Sequence, residues 1–125
     1  MTDKKELVER RKYERFQIRQ GTYVALAPPY GKVGPVIDIS RGGLSFRYVD
    51  GKETTNGSYI NIYLTEANFY LEKVPIKTIL DFKIPDKSAS SSITMRRCGL
   101  QFEDLTHDQA SQLKFFVENY SMGEA

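Results

Sequence analysis

The segment KVPIKTILDFKIP (73–85) alternates apolar and polar side chains more clearly than any other stretch of the chain. A period of two is typical of a β-strand that buries one face, because successive side chains point to opposite sides of a sheet. The alternation predicts one long strand, with Leu80 and Phe82 on the buried face and Asp81 on the exposed face. The other predicted members are Val74, Ile76, Thr78 and Ile84 on the buried face, and Lys73, Lys77 and Lys83 on the exposed face.

Five further segments alternate in the same way. In 43–50, for example, Leu44, Phe46 and Tyr48 share one face. Many short antiparallel strands in succession favour a closed or nearly closed barrel, because closure removes the exposed strand edges of an open sheet. The sequence therefore predicts a mainly β protein, a six-stranded antiparallel β-barrel with Greek-key-like connections. Besides 73–85, the predicted strands are 22–28, 33–40, 43–50, 59–65 and 93–104, the last with a break at Gly99.

The end of the chain has a helical pattern instead. In LTHDQASQLKFFVENY (105–120) the apolar residues recur every three or four positions, which places them on one face of a helix. Thr106 and Gln109 have the spacing of a capping box, in which two side chains satisfy unpaired amides at a helix start. We expect a C-terminal α-helix over 106–120 that packs on the barrel through Ala110, Leu113, Phe116, Val117 and Tyr120.

Composition limits both the kind of protein and its chemistry. With 125 residues, 40% of them hydrophobic and 27% charged, the chain is expected to form one soluble globular domain. No apolar run is long enough to span a membrane, and the single cysteine cannot form an internal disulfide, so a cytoplasmic location is expected. One histidine and one cysteine exclude zinc sites built from several such ligands, and neither HExxH nor GxSxG is present. We therefore expect no metal, no cofactor, no catalytic residue and no enzymatic activity.

The segment DISRGG (38–43) places polar groups beside a glycine turn at the end of a predicted strand. Asp38 and Ser40 are two residues apart and so share the outer face, while the isoleucines between and before them point into the core. We expect Gly42 and Gly43 to turn the chain tightly and to leave their amides open to a ligand. On its own the pattern fits an ordinary hairpin as well, since Asp, Ser and Gly are favoured in turns.

A second candidate lies near the N-terminus, where ERRKYERF (9–16) has four cationic side chains in eight positions. Arg11 and Arg15 are four residues apart and Arg10 adjoins them, so several guanidinium groups can converge on one anion. Arginine suits such a site because its planar fork pairs with phosphate or with guanine O6 and N7. Alone, the charge run fits a solvated terminal face as well.

Together, the two segments resemble the PilZ domain family. The resemblance consists of RxxxR before the first strand, at Arg11 and Arg15, and of DxSxxG at Asp38, Ser40 and Gly43. It continues through VIDISRGGLSFR, YINIYL and CGLQFEDL to a terminal helix, and so covers nearly the whole chain. No residue at the motif positions departs from the family pattern.

PilZ domains are six-stranded barrels that bind the bacterial second messenger cyclic di-GMP, so the resemblance implies that ligand here. It implies that Arg11 and Arg15 hold the phosphates and guanine faces. Asp38 and Ser40 would meet the polar edge of one guanine, and Gly43 would keep the turn open.

Further arginines bear on the predicted site. A cationic residue just before RxxxR resembles the family members that bind a stacked pair of ligands, so Arg10 predicts two cyclic di-GMP molecules per chain. Arg41, inside DxSxxG, is a candidate phosphate contact and equally a candidate solvated turn residue. Arg96 and Arg97 lie on opposite faces of the last strand, so at most one of them can face the ligand, and both are otherwise expected to be surface charges. Cys98 is expected to be a buried core residue.

The resemblance implies a non-enzymatic receptor or adaptor in bacterial signal transduction. Residues 1–15 would form a flexible basic arm that becomes ordered when ligand neutralises it, and residues 16–121 the barrel with its helix. An unidentified protein effector would then read the change. Two alternatives remain: an interaction adaptor that keeps the barrel without using the ligand, and a small single-stranded nucleic-acid binder. The net charge of +2 disfavours the second, so no DNA or RNA partner is expected.

Overall fold

The computed structural model describes residues 14–18, 21–26, 32–51, 58–64, 68–85 and 93–124. Within these ranges the chain forms eight β-strands and one α-helix. Numbered in chain order, the strands are β1 (Phe16–Ile18), β2 (Thr22–Leu26), β3 (Val33–Ile39), β4 (Gly43–Val49), β5 (Tyr59–Leu64), β6 (Phe69–Lys83), β7 (Met95–Phe102) and β8 (Ser121–Glu124), and the helix is α1 (His107–Tyr120).

Six of these strands close into an antiparallel barrel. Hydrogen-bonded neighbours follow the order β2–β5–β6–β7–β4–β3, and β3 also pairs with β2, which closes the ring. The six-stranded barrel predicted from the alternating segments is therefore confirmed. Its interior is filled by apolar side chains from every one of the six strands, among them Val24, Ile39, Phe46, Ile62, Val74 and Leu100.

β3 changes partner halfway along its length. Residues 33–35 pair with β2, whereas Asp38 and Ile39 pair with β1, and β1 pairs in turn with β8. The sequence pattern predicts neither β1 nor β8, because three or four residues are too few to establish a period of two. The pairing of Phe16 with Ile39 brings the residue before β1, Arg15, to the end of β3.

α1 packs on the barrel through one apolar face, as its periodicity predicts. Leu113, Phe116 and Val117 are buried, and the Phe116 ring stacks on Phe69 of β6 with 4.5 Å between the ring centroids. Ala110 is exposed, so the predicted face is wrong at that residue. The reason is that the first turn of the helix contacts β6 through a polar side chain, and apolar burial begins one turn later.

That polar side chain is Gln109, which also completes the helix cap. The Thr106 hydroxyl oxygen accepts a hydrogen bond from the Gln109 amide at 3.0 Å, and the Gln109 side-chain oxygen accepts one from the Thr106 amide at 3.1 Å. The predicted capping box is confirmed, and the Gln109 side-chain amide in addition donates to the Lys73 carbonyl of β6 at 3.1 Å. In the described part of the chain, no helix combines the length and the hydrophobicity that a membrane span requires.

β6 follows the predicted alternation only in its first half. A bulge between Thr78 and Leu80 shifts its pairing with β7 by one residue. Beyond the bulge, Leu80 and Phe82 face outward and remain 41% and 45% exposed, while Asp81 faces inward opposite Cys98. The predicted faces are therefore wrong for these three residues. Full burial of a Leu or Phe side chain contributes about 1.5–3 kcal/mol, so the bulge gives up a sizeable apolar contribution.

Asp81 belongs to a polar cluster on the interior side of the barrel wall, the inner cluster, formed by Lys32, Tyr48, Asp81 and Arg96. Lys32 Nζ donates to the Asp81 carboxylate at 2.6 Å, and the Lys32 side chain is only 3% exposed. The Tyr48 hydroxyl donates to the same carboxylate at 2.7 Å, and Arg96 Nε at 2.9 Å. The prediction that Arg96 is a surface charge is therefore wrong, because its guanidinium turns toward a carboxylate inside the wall.

The protonation of the inner cluster follows from these contacts. Burial alone would raise the pKa of Asp81, but the hydrogen bonds from Lys32, Tyr48 and Arg96 outweigh it and hold that pKa below its usual value. Burial, helped by the hydrogen bond to Asp81, raises the pKa of Tyr48 well above that of a free tyrosine. Asp81 is therefore the single anion that the three donors share.

Candidate ligand-binding site

A cleft of about 740 Å³ lies on the outer face of the barrel, where the β3–β4 turn meets β6 and β7. Small-molecule sites in proteins occupy roughly 300–1,000 Å³, so the cleft has the size of a ligand site. It brings together residues that are far apart in sequence, from both candidate motifs. Its lining includes Arg15, Asp38, Ser40, Arg41, Gly43, Ser45, Leu80, Phe82, Arg97 and Gly99.

The polar part of the cleft is the outer cluster, formed by Asp38, Ser45 and Arg97. The Asp38 side chain faces outward, opposite Ser45 of β4, as the spacing of DISRGG predicts, because its neighbour Ile39 is buried in the core. A bulge between Val36 and Asp38 leaves Ile37 half-buried and outside the core, so the prediction that Ile37 points into the core is wrong. Ser45 Oγ donates to Asp38 Oδ1 at 2.9 Å, and Arg97 Nη2 donates to Asp38 Oδ2 at 3.1 Å. A carboxylate offers about four lone-pair sites, so Asp38 retains acceptor capacity for a ligand.

Arg97 is one of two charged residues in the cleft lining, with Asp104, that the sequence pattern does not indicate. It lies on the face of β7 opposite to Arg96, and its Nη2 donates to Asp38 and to Ser45, both at 3.1 Å. The prediction that Arg97 is a surface charge is wrong, because the register of three strands brings it across β4 to Asp38. Its side chain is 32% exposed, and a guanidinium carries five N–H donors, so it retains donors for an anion.

Ser40 holds the turn between β3 and β4. Its amide donates to the Gly43 carbonyl at 2.8 Å, and its hydroxyl oxygen accepts from the Gly42 and Gly43 amides at 3.1 and 3.2 Å. The prediction that these two amides stay open to a ligand is therefore wrong. A serine hydroxyl readily accepts from amides two or three residues ahead, and here that local bonding fixes the turn that carries Arg41.

Gly43 is required by the close approach of β7. A Cβ atom at this position would lie 2.1 Å from the Leu100 carbonyl oxygen and 3.2 Å from the Gln101 Cα. These are backbone atoms, which cannot rotate away as a side chain can. Any side chain at Gly43 would therefore push β4 and β7 apart at the edge of the cleft.

The arginines predicted to bind anions lie partly within the described residues. Arg15 lines the cleft from the start of β1, and Arg41 lines it from the β3–β4 turn. Arg10 and Arg11 lie outside the described residues. Together with Arg97 of the outer cluster, Arg15 and Arg41 bring three cationic side chains of the described residues to this cleft.

An apolar wall, formed by Ile79, Leu80 and Phe82, borders the polar part of the cleft. All three side chains are exposed, which is unusual for a run of large apolar residues and is typical of a binding surface. Gly99 makes room for it, since a Cβ atom there would lie 2.8 Å from Leu80 Cγ. The sequence signal for this arrangement is Gly99 itself, because a glycine inside a strand often marks a close approach.

The described residues outside the cleft offer little reactive chemistry. Among them, no three His, Cys, Asp or Glu side chains lie close enough together to hold a metal ion. Cys98 is buried in the core, as predicted, and burial raises the pKa of its thiol to about 11. Since the thiolate is the reactive form of cysteine, Cys98 is a packing residue.

Known structures share this architecture. The chain is similar to the PilZ domain with cyclic di-GMP of YcgR from Escherichia coli, with a TM-score of 0.65 and 15% identity over 87% of this chain and 90% of that one. It is also similar to YcgR of Escherichia coli in complex with cyclic di-GMP, with a TM-score of 0.63 and 16% identity over 87% of this chain and 45% of that one. MrkH, a cyclic di-GMP-dependent transcription regulatory factor, matches with a TM-score of 0.62 and 16% identity over 87% of this chain and 50% of that one.

The chain therefore spans about half the length of the two longer proteins and nearly all of the isolated domain. A comparison with curated protein sequences finds no match. The sequence profile of the PilZ domain matches residues 9–119, which include both candidate motifs. With that match over most of its length and a closed six-stranded barrel, the protein belongs to the PilZ domain family.

Proposed function

We propose that this protein is a receptor for cyclic di-GMP, bound in the cleft that contains the outer cluster. The observation that carries the proposal is the convergence of Arg15, Asp38, Ser40 and Gly43, from two separate motifs, on that one cleft. The similar structures of YcgR and MrkH are those of proteins named for cyclic di-GMP, which supports the same ligand class here.

Guanine and phosphate complement the charges of the cleft. The guanine N1–H and N2 amino groups are donors that suit the Asp38 carboxylate, while O6, N7 and the phosphates are acceptors that suit Arg15, Arg41 and Arg97. A good bidentate contact between arginine and guanine contributes about 1–3 kcal/mol, and a micromolar Kd corresponds to about 8 kcal/mol. Two such contacts, with those of Asp38, account for a large share of a micromolar affinity.

The apolar wall supplies a surface for the face of a base. Phe82 and Leu80 lie beside the polar groups that would hold the edge of the same base. Stacking of a base on an aromatic ring contributes about 1–3 kcal/mol. A bound guanine would thus cover the two side chains that the bulge in β6 leaves exposed.

We further propose two ligands per chain. Arg10 adjoins the RxxxR motif, and its guanidinium can bracket the outer guanine of a stacked pair. Isothermal calorimetry is expected to give a ratio of two for the wild-type protein and of one for Arg10→Ala. A ratio of one for the wild type would reject the stacked pair and leave the receptor proposal intact.

The proposed signal is an ordering of the basic arm. Ligand phosphates neutralise the arginines of RxxxR, the arm settles on the outer face of the barrel, and a protein effector reads the altered surface. We expect amide hydrogen exchange in residues 9–16 to slow when cyclic di-GMP is added. Unchanged exchange there, at saturating ligand, would reject the arm as the signalling element. We assign binding and no catalytic step to the cleft.

The receptor function is tested by titration of the purified protein with cyclic di-GMP. Arg15→Ala is expected to weaken binding at least about fivefold, because it removes one arginine contact of about 1–3 kcal/mol. Arg47→Ala is the matched control, since Arg47 is an exposed arginine of β4 outside the cleft, and its affinity should stay close to that of the wild type. Failure of the wild-type protein to bind, or equal losses in the two variants, would overturn the proposal.

A further inference from the structure

The inner cluster lies directly behind the apolar wall of the cleft. We propose that Asp81, held by Lys32, is a positioning residue that keeps β6 in the register that presents Leu80 and Phe82 to the ligand. Asp81 does not line the cleft, because its side chain faces the barrel interior while its two neighbours face outward. The expected effect on affinity rests on the receptor function proposed above.

β6 has a second register available. Up to Thr78, the residues of β6 pair one to one with those of β7. Continued without the bulge, the same pairing would set Leu80 opposite Cys98 and Asp81 opposite Arg97. This is the register that the unbroken alternation of the sequence predicts, because it would turn Leu80 and Phe82 into the core.

The inner cluster explains why the bulged register is the one observed. The Lys32 ammonium is nearly inaccessible to water, and a buried charge is costly unless an opposite charge and hydrogen bonds compensate it. Only the bulged register turns Asp81 inward, where Lys32 and Tyr48 both donate to it. The bulge has a cost as well, since it leaves Leu80 and Phe82 exposed and so gives up their apolar burial. The contacts of Asp81 offset that cost.

The alternative register would impair the cleft in two ways. It would withdraw two of the three side chains of the apolar wall, because Leu80 and Phe82 would turn inward. It would also place the Asp81 carboxylate beside Arg97, where it would compete with Asp38 for the guanidinium and repel the ligand phosphates. The inner cluster thus sets the shape and charge of a site that it does not touch.

The effect on affinity is tested with Asp81→Asn, which keeps the size of the side chain and removes its charge. We expect its affinity for cyclic di-GMP to fall at least about tenfold. The apparent affinity is proportional to the fraction of molecules in the bulged register, and we expect about nine-tenths of the molecules to leave it. Val74→Ala is the control, because Val74 is a fully buried residue of the same strand, before the bulge and outside the cleft. Its affinity should stay near that of the wild type even though its thermal stability falls. Asp81→Glu, which keeps the carboxylate, is expected to restore binding.

The register itself is measured without ligand, by alkylation of a cysteine introduced with Leu80→Cys. The introduced thiol is exposed in the bulged register and should react quickly, whereas Cys98 is buried and contributes little background. Adding Asp81→Asn should slow the reaction at least about tenfold, because the reporter turns inward in most molecules. If Asp81→Asn does not fold, Tyr48→Phe replaces it, with slowing of at least about threefold expected.

These readouts separate the two proposals. Unchanged alkylation in the substituted background would overturn the register claim. Slowed alkylation with unchanged affinity for cyclic di-GMP would overturn the positioning role. Slowed alkylation in a protein whose wild type binds no cyclic di-GMP would support the register claim and reject the receptor function.

Discussion

Two aspartates on opposite sides of one barrel wall are held by the same kinds of partner. On the outside, Asp38 accepts from a hydroxyl of β4 and a guanidinium of β7, those of Ser45 and Arg97. On the inside, Asp81 accepts from the Tyr48 hydroxyl of β4 and the Arg96 guanidinium of β7. Arg96 adjoins Arg97, and Tyr48 lies three residues beyond Ser45, so the two members of each pair point to opposite faces of their strand.

The difference lies in what completes each cluster. A second cation, Lys32, binds Asp81 as its third donor, and the strand register depends on that pair. Asp38 has an open cleft beside it, lined by Arg15 and Arg41 in addition to its own partners. The inner cluster is therefore closed around one internal anion, whereas the outer cluster retains donors and acceptors for a ligand. Similar contacts serve the fold in one place and binding in the other.

The largest expected contrast is in stability. Asp81→Asn should lower the free energy of unfolding by about 2–3 kcal/mol, somewhat less than the roughly 3–5 kcal/mol for breaking a buried ion pair, because Asp81 is 22% exposed and β6 can shift register. Asp38→Asn should cost only about 1 kcal/mol, since Arg97 stays partly hydrated without it. Urea unfolding of both variants measures the contrast, and equal losses would contradict it.

The second contrast is in affinity. Arg97→Met keeps the apolar stem of the side chain and removes the charge, so cyclic di-GMP binding should weaken by about 1–3 kcal/mol. Arg96→Met should weaken binding by no more than about threefold, because Lys32 and Tyr48 still hold Asp81. Titration of the two variants side by side tests whether the faces of β7 have separate roles. A larger loss for Arg96→Met would reverse that assignment.

A smaller effect is expected where the two regions meet. Gly99→Ala adds a methyl group 2.8 Å from Leu80 Cγ, and the exposed leucine can move aside. We expect little change in the melting temperature and an affinity loss of about 0.5–1 kcal/mol, since one part of the apolar wall is displaced. Thermal unfolding of the Gly99→Ala variant measures the melting temperature, and titration of the same preparation with cyclic di-GMP measures the affinity. A large loss of stability with unchanged affinity would contradict the placement of Leu80 in the site.

The smallest effect is the pH dependence of the inner cluster. The pKa of Asp81 is lower in the folded chain than in the unfolded one, so its ionised form stabilises the fold above about pH 4 and this contribution is lost as the pH falls further. The difference in unfolding free energy between the wild type and Asp81→Asn should therefore narrow from pH 7 to pH 3. A difference that stays constant over that range would show that the Asp81 charge does not act in folding.

The sequence indicates the barrel because the signals for its strands are local and repeated. Each of the six alternating segments and the capped helix can be recognised from its own residues, without knowing which strands it packs against. The spacing of Asp38 and Ser40 likewise places both residues beside the same turn. β1 and β8 are the exceptions, because such short segments gain their structure only by pairing, β1 with β3 and β8 with β1.

What the sequence does not reveal is register. The bulge in β6 depends on Lys32, which is distant from Asp81 along the chain, and the role of Arg97 depends on the alignment of β3, β4 and β7. Local alternation favours burial of Leu80 and Phe82, and a tertiary ion pair overrides it. The missed site residues are therefore the ones whose orientation is set by contacts between strands.

The most direct test of the account is amide chemical-shift mapping of the labelled protein during titration with cyclic di-GMP. We predict saturable changes that are largest at Asp38, Ser40, Arg97 and Gly99, around the outer cluster, and small changes at Lys32 behind the wall. Absence of saturable changes, or a largest response in β2 and β5, neither of which lines the cleft, would contradict it.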